Sequence, residues 1–206
     1  MRLVACIVFF LCAEMANGRV VKERNDAFIG YREERDIGKG AERAPERIVL
    51  TTATGTIKLR LFHDQAPSIC AVVRALAQSG GTNLNFYRHE HVPQNWGQTT
   101  GFFGPPYALL QGTLGESVET MMGDENKVPI RQGDVALIPD TRDFFIATAE
   151  HPEWGNAHAV WAEVTGDGLS TVKALPFEPS FTRFDGTYTT TWLNNSIPFQ
   201  ISLGSE

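Results

Sequence analysis

From Ile48 onward the apolar positions fall into short stretches of period two, interrupted by one stretch of helical period. Ile48-Val49-Leu50-Thr51-Thr52 is a β-branched run, and Thr54-Gly55 offers a tight turn. Thr56 to Phe62 then alternates, with Ile57, Leu59 and Leu61 on one face and Lys58 and Arg60 on the other. The pair predicts a hairpin whose second strand is half-buried. Asp64 and Pro67 announce a helix, along which Ile69, Val72, Val73, Leu76 and Ala77 share one stripe until Gly80-Gly81. Further strands are predicted over 85–89, 108–111, 135–138, 144–148 and 159–164. A short second helix is predicted over 169–175, and two late strands over 187–192 and 198–202. Many short strands with two helices point to a mainly β domain, a barrel whose ends the helices cover. No internal repeat is visible.

Upstream of this domain the pattern changes twice. Residues 1–18 open with Arg2, continue as an apolar run over 3–13, and finish on the small residues of Ala16-Asn17-Gly18. That is the pattern of a secretory signal peptide, with an uncleaved signal-anchor as the alternative. The run falls short of the roughly 20 apolar residues that a membrane-spanning helix needs. Residues 19–47 hold eight basic and seven acidic residues with few large apolar ones. The expected organisation is a signal over 1–18, a charged flexible arm over 19–45 and a folded domain over 46–206.

The chain has 206 residues and a formal charge of −6. Residues 48–206 carry nine basic and sixteen acidic side chains, so the acidity belongs to the domain. Nucleic acid is therefore not expected as a partner, because non-specific binding rests on Lys and Arg neutralising phosphates. Two of the three cysteines, Cys6 and Cys12, lie within the signal stretch. Its removal leaves Cys70 alone, so no internal disulfide is expected, and Cys70 reads as a buried small hydrophobe on the helix.

The order of segments carries more information than any one of them. Leu59-Arg60-Leu61-Phe62 leads into Asp64-Gln65-Ala66-Pro67 and a helix holding Arg74-Ala75-Leu76. Phe86-Tyr87-Arg88 and Leu109-Leu110-Gln111-Gly112 follow. Then come Phe144-Phe145-Ile146-Ala147-Thr148, Glu153-Trp154, His158-Ala159-Val160-Trp161-Ala162-Glu163-Val164, and Val172-Lys173-Ala174-Leu175. This series resembles the cyclophilin family of peptidyl-prolyl cis-trans isomerases, in the family's own order. It looks most like divergent secretory-pathway members of plants and algae. The resemblance implies a closed eight-stranded antiparallel β-barrel capped by two α-helices. It implies Arg88 as the catalytic arginine and Gln111 as a ligand of substrate backbone. It implies Phe145 as the floor of a proline pocket bordered by Trp154 and His158, with Leu109 where the family has a methionine.

The implied activity is proline isomerisation during protein folding in the secretory pathway, and the implied partners are proline-containing polypeptides. A catalytically weak module that binds proline-containing segments is the alternative. No cofactor, metal or stable membrane insertion is expected, and the protein is expected to be a monomer. Rotation about an X-Pro amide meets a barrier of roughly 18–20 kcal/mol and breaks no bond. An apolar pocket for the ring and a fixed donor that binds better as the amide twists are the parts required. Arginine fits, being planar, always charged and rich in donors.

The chain departs from the family pattern at several points. An added loop, Asn95 to Pro106, stands between Arg88 and Gln111 and brings its own Trp and Phe. Tyr107 and Ala108 occupy the place of a pocket phenylalanine. Ile138-Pro139-Asp140-Thr141-Arg142-Asp143 replaces the lining of a second substrate pocket, and the turn from Trp154 to His158 is one residue short. A rival reading takes His89-Glu90-His91 as metal ligands of a cupin-like enzyme, with Gly133 to Pro139 as its second segment. His63 and His151 are expected at the surface. Asn194-Asn195-Ser196 is an N-glycosylation sequon at Asn194, meaningful if the signal operates. Leu203-Gly204-Ser205-Glu206 is not an ER-retention ending.

Overall fold

The computed structural model describes residues 46–98, 102–184 and 186–204. The expectations for the signal stretch and the charged arm therefore lie outside the described residues. All of the described residues fall within one compact unit, 38–206.

The first hairpin forms as the alternation requires. Strand β1 (Arg47–Thr51) pairs antiparallel with β2 (Thr56–Leu61), and Ile57, Leu59 and Leu61 are buried while Lys58 is exposed. Helix α1 (Pro67–Ser79) opens on a proline whose missing N–H costs nothing there. It buries Ile69, Cys70, Val73 and Leu76. Asp64 does not cap it. The N-cap is Ala66, and the carboxylate of Glu125 accepts from the N–H groups of Ser68 and Ile69 at 3.1 and 3.2 Å.

The remaining elements are β3 (Asn85–Glu90), β4 (Leu109–Thr113), β5 (Asp134–Leu137), β6 (Asp143–Ala147), β7 (Ala159–Thr165), α2 (Gly168–Ala174), β8 (Ser180–Phe184), β9 (Thr189–Leu193), β10 (Ile197–Pro198) and β11 (Gln200–Leu203). Nine strands form one antiparallel sheet in the order β10-β3-β4-β6-β5-β7-β2-β1-β11. The two ends of that order, β10 and β11, are halves of one segment interrupted at Phe199, whose N–H turns aside to donate to Leu84 O at 3.1 Å. The nine strands thus describe the eight-membered ring expected, with one member broken.

Two strands depart from the expected pattern. The late strand over 187–192 does not join the ring: β9 leaves it and pairs with β8, which the sequence pattern did not predict, as a separate two-stranded ribbon. A 3₁₀ turn, Pro152–Trp154, also forms between β6 and β7.

Both faces of β4 and β6 are buried, which separates the apolar residues into two groups. Leu110, Phe144, Ile146, Val135, Leu137 and Trp161 point into the barrel, where α1 and α2 add Ile69, Val73, Leu76 and Val172. Leu109, Phe145, Ala147, Ala136 and Val160 alternate with them and form a second apolar cluster on the outside, with Phe62 and Ile130. That second cluster places the candidate site.

Candidate functional site

Three neighbouring strands bring the expected residues into one row. Arg88 on β3 stands opposite Gln111 on β4, and Gln111 stands opposite Phe145 on β6. Directly paired residues share a face, so the three side chains lie side by side on the outer surface of the barrel. Arg88 reaches that face because β3 contains a bulge. Its register shifts between Phe86 and Arg88, leaving Tyr87 as the extra residue. Strict alternation from the buried Phe86 would send Arg88 inward; the bulge sets both Tyr87 and Arg88 outward. Gly112 keeps β4 close to β3 at this point, since a Cβ there would come 2.6 Å from Asn85 O.

A directed chain of hydrogen bonds orders the polar part of the site. Arg88 Nη1 donates to Gln111 Oε1 at 3.2 Å. Gln111 Nε2 donates to the Tyr87 hydroxyl at 2.6 Å, and that hydroxyl donates to Asp143 Oδ2 at 2.9 Å. Asp143 accepts only, so it fixes the direction of the Tyr87 O–H and, through it, which end of the Gln111 amide faces Arg88. Burial, with Asp143 alongside, pushes the Tyr87 hydroxyl well above its ordinary pKa and keeps it a neutral donor. Both ends of the Gln111 amide are engaged within the protein.

The apolar part is an aromatic group. Phe145 is 2% exposed. Trp154 lies edge-on to it with centroids 5.3 Å apart, His158 is at 5.1 Å, and Trp154 and His158 are themselves 5.3 Å apart. Leu109 is buried in the same cluster. Burial holds His158 below its usual pKa, so the ring sits neutral against Phe145.

Four residues of the site were not expected. Tyr107, at the end of the added loop, leans on Trp154 at 6.2 Å and places its ring 5.3 Å from the Arg88 guanidinium carbon. It therefore supplies an aromatic wall at the place where the resemblance implies a pocket phenylalanine. Tyr87 fills the bulge. Glu90, two residues after Arg88, accepts from Arg88 Nη2 at 3.0 Å and has a fully buried carboxylate. Trp192 on β9 stacks on Tyr87 at 5.1 Å and lies 6.0 Å from the Arg88 guanidinium carbon. The spacing of Glu90 from Arg88 was a readable signal, because i and i+2 share a strand face. Nothing local pointed to Trp192.

Histidines around the site correct two expectations. His151 is fully buried rather than at the surface. Its ring stacks on Trp154 at 3.7 Å, and its Nδ1 lies 2.8 Å from Glu153 Oε1. Desolvation holds its pKa down despite that carboxylate. His89 stacks on Phe177 at 3.7 Å and its Nδ1 lies 3.3 Å from Pro176 O, while His91 meets the edge of the same Phe177 ring at 6.3 Å. His63, half-buried, lies 2.9 Å from the Glu46 carboxylate. Among the described residues no three His, Cys, Asp or Glu side chains gather as metal ligands would. Trp96 of the added loop packs on this side too, donating to Glu150 O at 3.0 Å and meeting His151 edge-on.

Residues 47–182 match the sequence profile described as "Cyclophilin type peptidyl-prolyl cis-trans isomerase/CLD". The chain belongs to the cyclophilin-type peptidyl-prolyl cis-trans isomerases. This overturns the cupin-like rival, whose proposed ligands His89 and His91 pack against Phe177 instead.

The fold agrees with solved cyclophilins. A cyclophilin-type isomerase from Cryptosporidium parvum aligns over 79% of this chain and 99% of its own, at a TM-score of 0.52 and 18% identity. The structure of that protein in the presence of the dipeptide Ala-Pro aligns over 78% and 99%, at 0.50 and 17%. No curated protein matches the sequence.

Proposed function

We propose that this cyclophilin isomerises X-Pro bonds in client polypeptides, with Arg88 acting on the amide as it twists. The observation that carries this is the row Arg88–Gln111–Phe145. It sets a fixed, always-charged donor beside an apolar aromatic cluster, which is what rotation about a prolyl amide needs. Phe145, Trp154, His158 and Leu109 receive the ring. Gln111, once turned from its internal partners, holds substrate backbone. The solved relative studied with Ala-Pro supports this ligand class. Proline-containing chains are accordingly the proposed partners, met by a monomer that needs no cofactor.

The test is a proline-isomerisation assay comparing wild type with Arg88→Ala. Losing a donor aimed at developing charge should lower kcat/KM by about 100-fold. Equal rates in the two proteins, or no rate above the uncatalysed background, would remove the enzymatic reading. The weak binding module is the second reading. It is favoured by the enclosure of Phe145 and by the engagement of the Gln111 amide.

The compartment we propose is the secretory pathway, on the support of the signal-like pattern over residues 1–18. Asn194 is exposed just after β9 and would accept a glycan there. Purified protein from a secreting host, read by mass before and after glycosidase treatment, tests both points.

A further inference from the structure

The β8–β9 ribbon lies where a substrate would approach Arg88. Its strands pair with each other and not with the strands of the barrel sheet. A lone two-stranded ribbon is marginal by itself, so it stays in place through its contacts with the barrel. Those contacts converge on the site. Trp192 stacks on Tyr87 and lies beside the Arg88 guanidinium, Tyr188 meets the edge of Tyr107, and Thr191 N–H donates to Glu90 Oε1 at 2.8 Å.

Glu90 is the joint of this arrangement. Its other oxygen accepts from Arg88 Nη2 at 3.0 Å and from Tyr107 N–H at 2.6 Å. Three segments thus meet on one carboxylate whose side chain is 0% exposed: the catalytic strand, the added loop and the ribbon. The result is enclosure. The Arg88 side chain is 12% exposed. Its Nε–H is buried with no hydrogen-bond partner among the described residues. An unpaired buried donor is costly, so the closed arrangement carries a penalty that opening relieves. The match to the family profile ends at residue 182, inside β8, so Thr191 and Trp192 lie outside the matched segment.

We propose that Glu90 is a positioning residue for Arg88, and that through it the β8–β9 ribbon gates the site, lifting to admit a proline-containing chain. This rests on the reading of Arg88 as the residue that engages the substrate. The gate follows from geometry: the same carboxylate that aims the guanidinium also anchors the strand covering it.

Thr191 allows a narrow test. It faces Thr182 across the ribbon, and its N–H points away from β8, toward Glu90. Proline at 191 therefore removes the latch and leaves the β8–β9 ladder paired. By the same alternation Thr182 N–H points away from the opposite edge, which makes Thr182→Pro the matched control. In the full chain, Thr191→Pro should lower KM about tenfold with kcat little changed, the weight of one hydrogen bond to a charged group. Thr182→Pro should match wild type. An unchanged or raised KM in Thr191→Pro overturns the gate.

Binding of a tetrapeptide with an internal Ala-Pro bond, followed by calorimetry, separates the two readings. Tighter binding by Thr191→Pro without turnover keeps the gate and removes the isomerase. Equal affinity, or no binding by either protein, overturns the gate. Should Thr191→Pro not fold, amide exchange at Thr191 in wild type decides. Faster exchange with saturating peptide supports the gate, and unchanged or slower exchange overturns it.

Discussion

Acid should unfold this protein partly through one histidine that touches no substrate. His89 is buried on β3, stacked on Phe177 at 3.7 Å and 18°, with Nδ1 3.3 Å from Pro176 O. Burial is the main cause that pushes its pKa down to about 4; backbone groups of Pro176 and Leu175 oppose this in part, and His91 adds to it. In the unfolded chain an imidazole titrates near 6.5, as a rough reference. Between about 4 and about 6.5 the unfolded chain therefore binds a proton that the native protein does not. Stability rises with pH across that window and is lost as pH falls through it. The gap of about 2.5 between the two values corresponds to about 3 kcal/mol, a sizeable share of a domain's usual 5–15 kcal/mol.

The assay is urea unfolding at pH steps from 7 to 4, on wild type and His89→Phe. Phenylalanine keeps a ring against Phe177 and removes the titration. His151 and His158 are also held down by burial, and both remain in the two proteins, so the difference isolates His89. Wild type should lose about 3 kcal/mol more than the variant over this range. Parallel pH profiles would refute the assignment.

Other substitutions test the framework of the site. Glu125→Ala strips the carboxylate that accepts from Ser68 and Ile69 at the start of α1, and should cost about 1–2 kcal/mol in urea unfolding. Gly112→Ala sets a Cβ against Asn85 O on β3; it should cost about 1–3 kcal/mol and lower isomerisation by displacing the neighbouring Gln111. Cys70 is buried and its thiol is pushed up to about 12, chiefly by desolvation. Peptide mapping after treatment with a thiol reagent at about pH 8 should find Cys70 unmodified in the native protein and labelled in denaturant.

The barrel was legible because its strands announce themselves locally. The alternation of Ile57, Leu59 and Leu61, the stripe of Ile69, Val73 and Leu76, and the continuous Phe144-Phe145-Ile146 each record which side of an element meets apolar surroundings. Where a partner lies far along the chain, the local record fails. Asp64 has the residue type of a helix cap, yet the donors of Ser68 and Ile69 go to Glu125, more than fifty positions later. His151 falls in no predicted helix or strand, and beside the nearby Trp154 it packs against Trp96 of the added loop, far earlier in the chain. β8 has one large apolar residue on each face, Phe181 and Phe184, and both stay exposed, so no periodicity marks it.

The row at the candidate site and its cover differ in the same way. Arg88, Gln111 and Phe145 are joined by strand register, which short motifs on adjacent strands preserve in order, so their family likeness survives in the sequence. The cover depends on a backbone N–H of Thr191 meeting a carboxylate 101 residues earlier. A backbone donor leaves no trace in residue identity, and any side chain at 191 except proline would supply it. Glu90 is the one visible half of that contact. A carboxylate two positions from Arg88, on the same strand face, can hold more than the guanidinium it pairs with. The geometry shows what is held: one Glu90 oxygen fixes the guanidinium and the Tyr107 backbone, and the other anchors the ribbon. Replacing the charge at 90 therefore changes both the aim of Arg88 and the access to it, whereas replacing the N–H at 191 changes access alone. That asymmetry is why the Thr191 substitution, and not the more obvious Glu90 one, separates gating from positioning.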